Sequence, residues 1–248
     1  MSNWFSRWKR PLVRTKLVAG LRKYPGYIAD MWKYSKMDGA EPIRLADTYP
    51  CLFDRTAKSS VDSHYFYQHI WAMKRIYDLK PELHVDVGSS VDFVGLLSVI
   101  TNVHFIDIRP LVISPLENLE ARKGSILNMP YPDNSLESVS CLHVTEHIGL
   151  GRYGDTLDPH GTKKAVRELA RCLARRGSLL LSLPVGKPRL CFNAHRIHSP
   201  RQIIEFLSDL RLVEFSGSGD DKNFVQNISI EKLENARYAC GMFWFRKE

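Results

Sequence analysis

No two cysteines in this 248-residue sequence are spaced C-x-x-C, and the five present (Cys51, Cys141, Cys172, Cys191 and Cys240) are odd in number and far apart. That argues against a disulfide framework and against a thiolate zinc knuckle, and it points to a reducing compartment. No apolar run approaches the roughly 18 to 20 residues that a bilayer crossing needs. The first residues also lack the apolar stretch and small-residue cleavage site of a secretory leader. The expectation is a cytoplasmic protein, neither secreted nor embedded in a membrane. Internal repeats and low-complexity tracts are lacking too, while 44% hydrophobic residues suffice for a sizeable core. One large domain over residues 59–248, preceded by an extension over 1–58, is the expected organisation.

Charge is concentrated at the start. Residues 1–37 hold nine lysines and arginines against the single acid Asp30, so this arm alone accounts for the net charge of +8 and the rest of the chain balances. Trp4, Phe5, Trp8 and Trp32 are interleaved with the cations. A segment of this kind can lie on an anionic membrane at the inner face, grip nucleic acid, or pack its aromatics and leave its charges in water. All three readings stay open on composition.

Further along, apolar runs alternate with helical patterns. In "SSVDSHYFYQHIWAMKRIYDLKP" the positions Phe66, Ile70, Met73 and Tyr77 follow helical spacing, with Ser60 or Asp62 as the cap and Pro81 past the end. "LHVDVG", "VHFIDI", "SVSCLHV" and "SLLLSLPV" read as buried strands, and "LRLVEFS" and "YACGMFWFR" as two final ones around a polar insertion. "VDFVGLLSVIT", "TKKAVRELARCLA" and "SPRQIIEFLSDL" read as the intervening helices, the last with Ser199 as N-cap and Pro200 at its first position. The pattern predicts an α/β fold: a doubly wound, mostly parallel, seven-stranded Rossmann-like sheet with a basic helical N-terminal extension.

Such sheets bind ligands beyond the carboxyl ends of their strands, where strand order reverses. The first strand runs into Asp86-Val87-Gly88-Ser89-Ser90, and Gly88 permits a tight turn and a close backbone approach. The second ends at Asp107, with Ile108 beside it, where an acid can accept hydrogen bonds from a ribose diol; capping or an ion pair is the plainer use of that acid. A dinucleotide fingerprint G-x-G-x-x-G is absent, since the stretch is "GSSVDFVG", and so is a Tyr-x-x-x-Lys pair. S-adenosylmethionine (SAM) carries a ribose and an adenine but no phosphate, and needs less of a glycine loop.

Taken in order, "HVDVGSS", "FIDIRP", "GSILNMPYPDNSLESVSCLHVTEHI", "ELARCLARRGSLLLSLPVG" and "NAHRIHSPRQI" resemble the class I SAM-dependent methyltransferase superfamily. Within it the chain is most similar to the methyltransferase-like domain-of-unknown-function family 268, also at "FDR" and "HYFYQHIWAMKRI", so that roughly residues 53–200 are covered. The resemblance implies SAM as cofactor, with Asp86 and Gly88 in the glycine loop, Asp107 as the ribose acid, Ile126 and Leu127 flanking the adenine, and His143 beside the methionine moiety. It also implies a sugar or surface-polysaccharide hydroxyl as the acceptor.

The run His143-Val144-Thr145-Glu146-His147 has the H-x-x-E-H spacing of some zinc peptidases. That chemistry requires both histidines on one helix face, whereas here a strand precedes and Gly149 and Gly151 follow, so no metal is expected from this motif. His147, His143 and His195, in that order, are candidates for the base that takes a hydroxyl proton, with Glu146 orienting an imidazole. Buried histidines that merely satisfy backbone groups, and a loop role for His195, are the plainer alternatives. After the fourth strand the chain shows neither an Asn/Asp-Pro-Pro-Tyr/Phe run nor a Pro-Cys nucleophile, which disfavours methylation of nucleic-acid bases; ribose methylation stays open. The leading expectation is a SAM-dependent O-methyltransferase acting on a carbohydrate, with peripheral membrane contact through residues 1–37 and nucleic acid disfavoured as a partner. Two others stand beside it: a methyltransferase-like binding or assembly protein without catalysis, motivated by the glycine-poor loop and Ser125, and an RNA methyltransferase that uses the basic arm.

Overall fold

A computed structural model describes residues 17–109 and 111–248. Trp4, Phe5, Trp8 and the basic residues up to Lys16 lie outside the described residues. Two compact units divide the chain, one ending at Ser60 and the other running Val61–Glu248. In the first, α1 (Leu17–Ser35) contains Pro25 and is followed by a 3-10 turn at Leu45–Asp47. Leu21, Ile28 and Trp32 share one stripe of α1 and are exposed.

In the second unit, α2 (Ser63–Leu79) begins where the Asp62 carboxylate accepts from the backbone N–H groups of His64 and Tyr65, and it ends at Lys80 in a left-handed conformation. The helix turns a different face inward from the one its apolar pattern predicts. Phe66, Ile70 and Tyr77 are exposed, while His64, Gln68, Trp71, Ala72, Arg75 and Ile76 are buried. The indole and guanidinium groups on the buried face find a partner, which helps it go inside. Glu214 accepts from Trp71 Nε1 at 2.9 Å and from Arg75 Nη2 at 2.5 Å.

The strands and helices then follow in order: β1 (Leu83–Val87), α3 (Val91–Leu97), β2 (Asn102–Asp107), β3 (Leu119–Lys123), β4 (Leu136–Leu142), α4 (Gly161–Cys172), β5 (Leu173–Val185), β6 (Arg189–Cys191), β7 (His195–Ile197), α5 (Pro200–Phe206), β8 (Arg211–Ser218), β9 (Phe224–Val225), α6 (Ile230–Glu234) and β10 (Ala239–Arg246). One sheet has the order β3-β2-β1-β4-β5-β10-β8-β9. Its first five strands are parallel, and β10 enters antiparallel between β5 and β8. This is a mixed α/β Rossmann-like fold with eight strands instead of seven. The extra strand is β9, two residues of the polar insertion paired with the end of β8. The β3 segment went unread because it is an edge strand, largely solvent-facing and charged. A separate hairpin, β6–β7, lies between β5 and α5.

Helices cover both faces. On one side Val166, Leu169 and Ile203 from α4 and α5 pack with Val85, Val139 and Leu181; on the other Trp71, Ile76, Phe93 and Leu97 from α2 and α3 pack with Phe105 and Leu180. Strand order reverses between β1 and β4, so the carboxyl ends of those strands diverge and leave a crevice.

Candidate active site

The crevice is a cleft with about 530 Å³ of empty space counting its open mouth, within the range of small-molecule sites. Its floor is Gly88 at the end of β1, with φ +70, a conformation that side chains seldom adopt. A Cβ there would stand 3.1 Å from Val144 Cγ1. The residues around Gly88 build the turn instead of lining the cleft. Asp86 is fully buried and accepts from Ser89 N at 3.0 Å and Ser89 Oγ at 2.7 Å, with a further short bond from Ser140. Burial raises the Asp86 pKa to about 6, although these hydrogen bonds oppose the rise. Ser89 Oγ also accepts from Leu142 N at 3.0 Å, fastening the turn to β4, while Ser90 caps α3.

On one side of the cleft stands Asp107, at the end of β2. Its Oδ1 accepts from Arg109 N at 2.7 Å, which leaves its other oxygen for a ligand. Ile108, Gly124 and Ile126 add a mostly apolar wall. Leu127 does not line it; its backbone N–H donates to Ser125 Oγ at 3.2 Å and its side chain is exposed. The sequence also leaves Arg109 and Tyr153 unmarked. The Arg109 guanidinium lies 4.8 Å from the Tyr153 ring and that of Arg152 lies 5.1 Å from it, so Tyr153 is held between two cations at the cleft. A tyrosine between glycines in "GLGRYGD" was the available signal.

The opposite side is the H-x-x-E-H segment, folded as strand end, left-handed His143 at φ +56, and a 3-10 turn over Thr145–His147. His147 lines the cleft, and its Nδ1 donates to the Ala194 carbonyl at 2.6 Å. The tautomer is thereby set, and Nε2 is the atom with a free lone pair. Nε2 is 3.6 Å from Glu146 Oε1. Burial lowers the pKa of His147 to about 4 and raises that of Glu146 to about 8, so near pH 7 the imidazole is neutral and the acid keeps its proton. Neither Glu146 oxygen has a hydrogen-bond partner among the described residues. His143 also lines the cleft, with a pKa pushed well down by burial. His195, on β7, does not line the cleft; it packs against the Tyr238 ring, 5.3 Å between centroids, and is near enough to help lower the pKa of His147. The region beyond His143 is aromatic and polar: its ring is 5.4 Å from Tyr65 and 5.6 Å from His64, and His64 stacks on Tyr238 at 5.0 Å.

Residues 127–244 match the family described as Caenorhabditis protein of unknown function, DUF268. An uncharacterised protein of Methanocaldococcus jannaschii is 28% identical over 153 residues, which cover 59% of this chain and 62% of that one, less than two thirds of its length. Among solved structures, the N-methyltransferase NodS of Bradyrhizobium japonicum, in complex with S-adenosylhomocysteine (SAH), superposes with a TM-score of 0.50 at 14% identity, covering 73% of this chain and 86% of its own. The 1,6-didemethyltoxoflavin-N1-methyltransferase of Burkholderia thailandensis, also with SAH bound, gives a TM-score of 0.50 at 13% identity, covering 75% and 84%. The fold is that of the class I SAM-dependent methyltransferases.

Proposed function

We propose that the protein is a SAM-dependent O-methyltransferase that methylates a hydroxyl of a sugar or surface polysaccharide. The observation that carries this reading is the cleft itself. A ribose-competent acid, Asp107, stands on one wall, a side-chain-free floor lies at Gly88, and an imidazole with a free nitrogen, His147 Nε2, stands on the other wall. The residues fit the cofactor: Asp107 accepts from the ribose hydroxyls, the Gly88 backbone allows close approach, and Ile108 and Ile126 offer an apolar surface to the purine. When bound, SAM supplies a methyl group made electrophilic by its sulfonium.

The chain's own task is to orient the acceptor, exclude water and remove one proton. His147 accepts that proton at Nε2, because Nδ1–H is committed to Ala194. Tyr153, braced by Arg109 and Arg152, shields the site from solvent. The rings of Tyr65 and Tyr238 beyond His143 are suited to the apolar faces of a sugar. Histidine in place of an amine-orienting Asn/Asp-Pro-Pro-aromatic run favours a hydroxyl over an amino acceptor. We further propose that the arm over residues 1–37 lies on an anionic membrane surface, a reading supported by its charge and by the exposed stripe Leu21, Ile28 and Trp32. Among the described residues no helix is long and apolar enough to cross a membrane.

The test is calorimetric titration with SAM and SAH of the wild type and of Asp107→Asn and Asp107→Ala, followed by methyl-transfer assays on nucleotide sugars, glycans and RNA. Saturable binding weakened at least about tenfold by the substitutions, with transfer confined to carbohydrate acceptors, is the expected result. Absence of SAM and SAH binding at millimolar concentration would overturn the cofactor assignment, and transfer to RNA alone would overturn the acceptor class.

A further inference from the structure

His64, His143 and Cys240 come from three separate elements: the first turn of α2, the residue after β4, and the second residue of β10. The fold brings one ligand atom of each to within 4.8 Å of the others, and all three residues are buried, Cys240 completely. We propose that they form a binding site for a divalent transition-metal ion of the zinc type, just beyond the cleft wall at His143.

Three observations converge on this site. The first is tautomeric. Ser182 Oγ donates to Gln68 Oε1 at 2.5 Å, so its lone pair faces His143 Nδ1, 3.4 Å away, and Nδ1 carries the hydrogen. That leaves His143 Nε2 as a bare lone pair, and among the described residues this buried atom has no partner. A native fold seldom leaves such a nitrogen unsatisfied. The second is the outer shell. An imidazole whose far N–H is held by a hydroxyl, as that of His143 is by Ser182, is the usual dress of a metal ligand.

Ligand chemistry is the third. Two imidazoles and one thiolate suit a borderline-soft ion, and Zn²⁺ bonds of about 2.0 to 2.3 Å need ligand separations only about an ångström shorter than those present. On binding, the Cys240 thiol gives its proton to solvent and forms a sulfur–metal bond. His147 does not belong to the set: its Nδ1 is committed to Ala194, and neither of its nitrogens is among the clustered ligand atoms. Three protein ligands leave a fourth position open, as catalytic zinc sites do, and an acceptor oxygen would take it. That last role rests on the methyl-transfer reading; metal binding itself does not.

The experiment uses full-length protein carrying Cys51→Ser and Cys191→Ser, so that the cysteines outside the core are silent, stripped with a chelator and titrated with Co²⁺ and then Zn²⁺. One equivalent of Co²⁺ is expected to give a thiolate charge-transfer band in the near ultraviolet and intense tetrahedral visible bands, both displaced by Zn²⁺. Cys240→Ala abolishes the near-ultraviolet band and weakens Zn²⁺ binding at least about 100-fold. Ser182→Ala, which leaves every ligand in place, weakens it about 10- to 100-fold. Circular dichroism checks that each variant is folded, and the parent's spectrum stands on its own if one is not. Absence of the thiolate band in the parent, or unchanged Zn²⁺ affinity in folded Cys240→Ala, would overturn the proposal. SAM titration of stripped and zinc-loaded protein separates the two readings, since SAM binding without the thiolate band sinks the metal site alone, and the band without SAM binding sinks the methyl-transfer reading alone.

Discussion

Replacing Gly88 by alanine tests the floor of the cleft, because the structure fixes both the strain and the clash. At φ +70 a residue with a Cβ costs about 1 to 2 kcal/mol. The new methyl group would also stand 3.1 Å and 3.3 Å from the two Val144 Cγ atoms, so Val144 must give by a few tenths of an ångström. The sum is about 2 kcal/mol of lost stability, or about 4 to 8 °C in melting temperature for a domain of this size. Val144 lines the cleft, so its displacement is expected to weaken SAH binding about tenfold as well. Gly95→Ala is the control: that glycine lies within α3, and a Cβ there meets nothing within 4 Å. It is expected to stabilise by about 0.5 to 1 kcal/mol. Urea denaturation of both variants, with SAH calorimetry alongside, gives the answer. Equal stabilities of Gly88→Ala and wild type would refute the strain argument, and a destabilised Gly88→Ala with full SAH affinity would refute Gly88 as the cofactor floor.

Four further outcomes are expected. His147→Gln lowers methyl transfer about 10²- to 10⁴-fold; because burial holds the pKa of His147 to about 4, the wild-type rate stays level from pH 7 to pH 5, and a midpoint near 6.5 would count against it as the base. His84, buried between Ser138 Oγ at 2.7 Å and Ser140 Oγ at 2.8 Å, has its pKa lowered by burial to about 3, so its neutral form stabilises the fold fully above the unfolded value near 6.5. That contribution falls as pH drops through 6.5, by about 2 kcal/mol at pH 5, and the stability difference between wild type and His84→Gln, followed by denaturation at each pH, should shrink accordingly. Glu214→Gln leaves Arg75 buried without its counter-charge and costs about 3 to 5 kcal/mol in urea denaturation. Deleting residues 1–37 abolishes sedimentation with anionic liposomes and leaves SAH affinity unchanged; retained liposome binding would remove the arm from the account.

Where sequence and structure agree, burial explains why. β1, β4 and β5 are buried along most of their length, and the apolar residues clustered in them announce the strands even though His84, Asp86 and several serines are buried among them. At the sheet margin β3 faces solvent at most of its positions, and β9 pairs only two residues of a polar segment, so neither leaves a hydrophobic signature. α2 shows the opposite failure. Its more apolar stripe is the exposed one, because the inward stripe uses Gln68, Trp71 and Arg75 in hydrogen bonds that no periodicity records. At the site, Asp107, Ile108, Ile126, His143 and His147 share one cleft; the end of the second strand pointed to Asp107 and Ile108, the H-x-x-E-H run to His143 and His147, and the resemblance to the methyltransferases to Ile126. His64 and Cys240 could not be read in the same way. They lie near opposite ends of the domain, and the topology that inserts β10 beside β5 is what brings them to His143.

One set of contacts ties two distant stretches of chain. Arg196 on β7 donates to the carbonyls of Ile148 and Asp158, Arg152 donates to that of Ala194 at 3.0 Å, and His147 meets the same carbonyl. The loop after β4 and the β6–β7 hairpin therefore open together or not at all. Amide hydrogen exchange should report them as one cooperative unit with a single opening free energy, although nearly forty residues of chain separate them. On the proposed methyl-transfer reading, that shared opening sets how quickly an acceptor enters and a product leaves, so a substitution at Arg196 is expected to show itself in turnover through release and not through the transfer step.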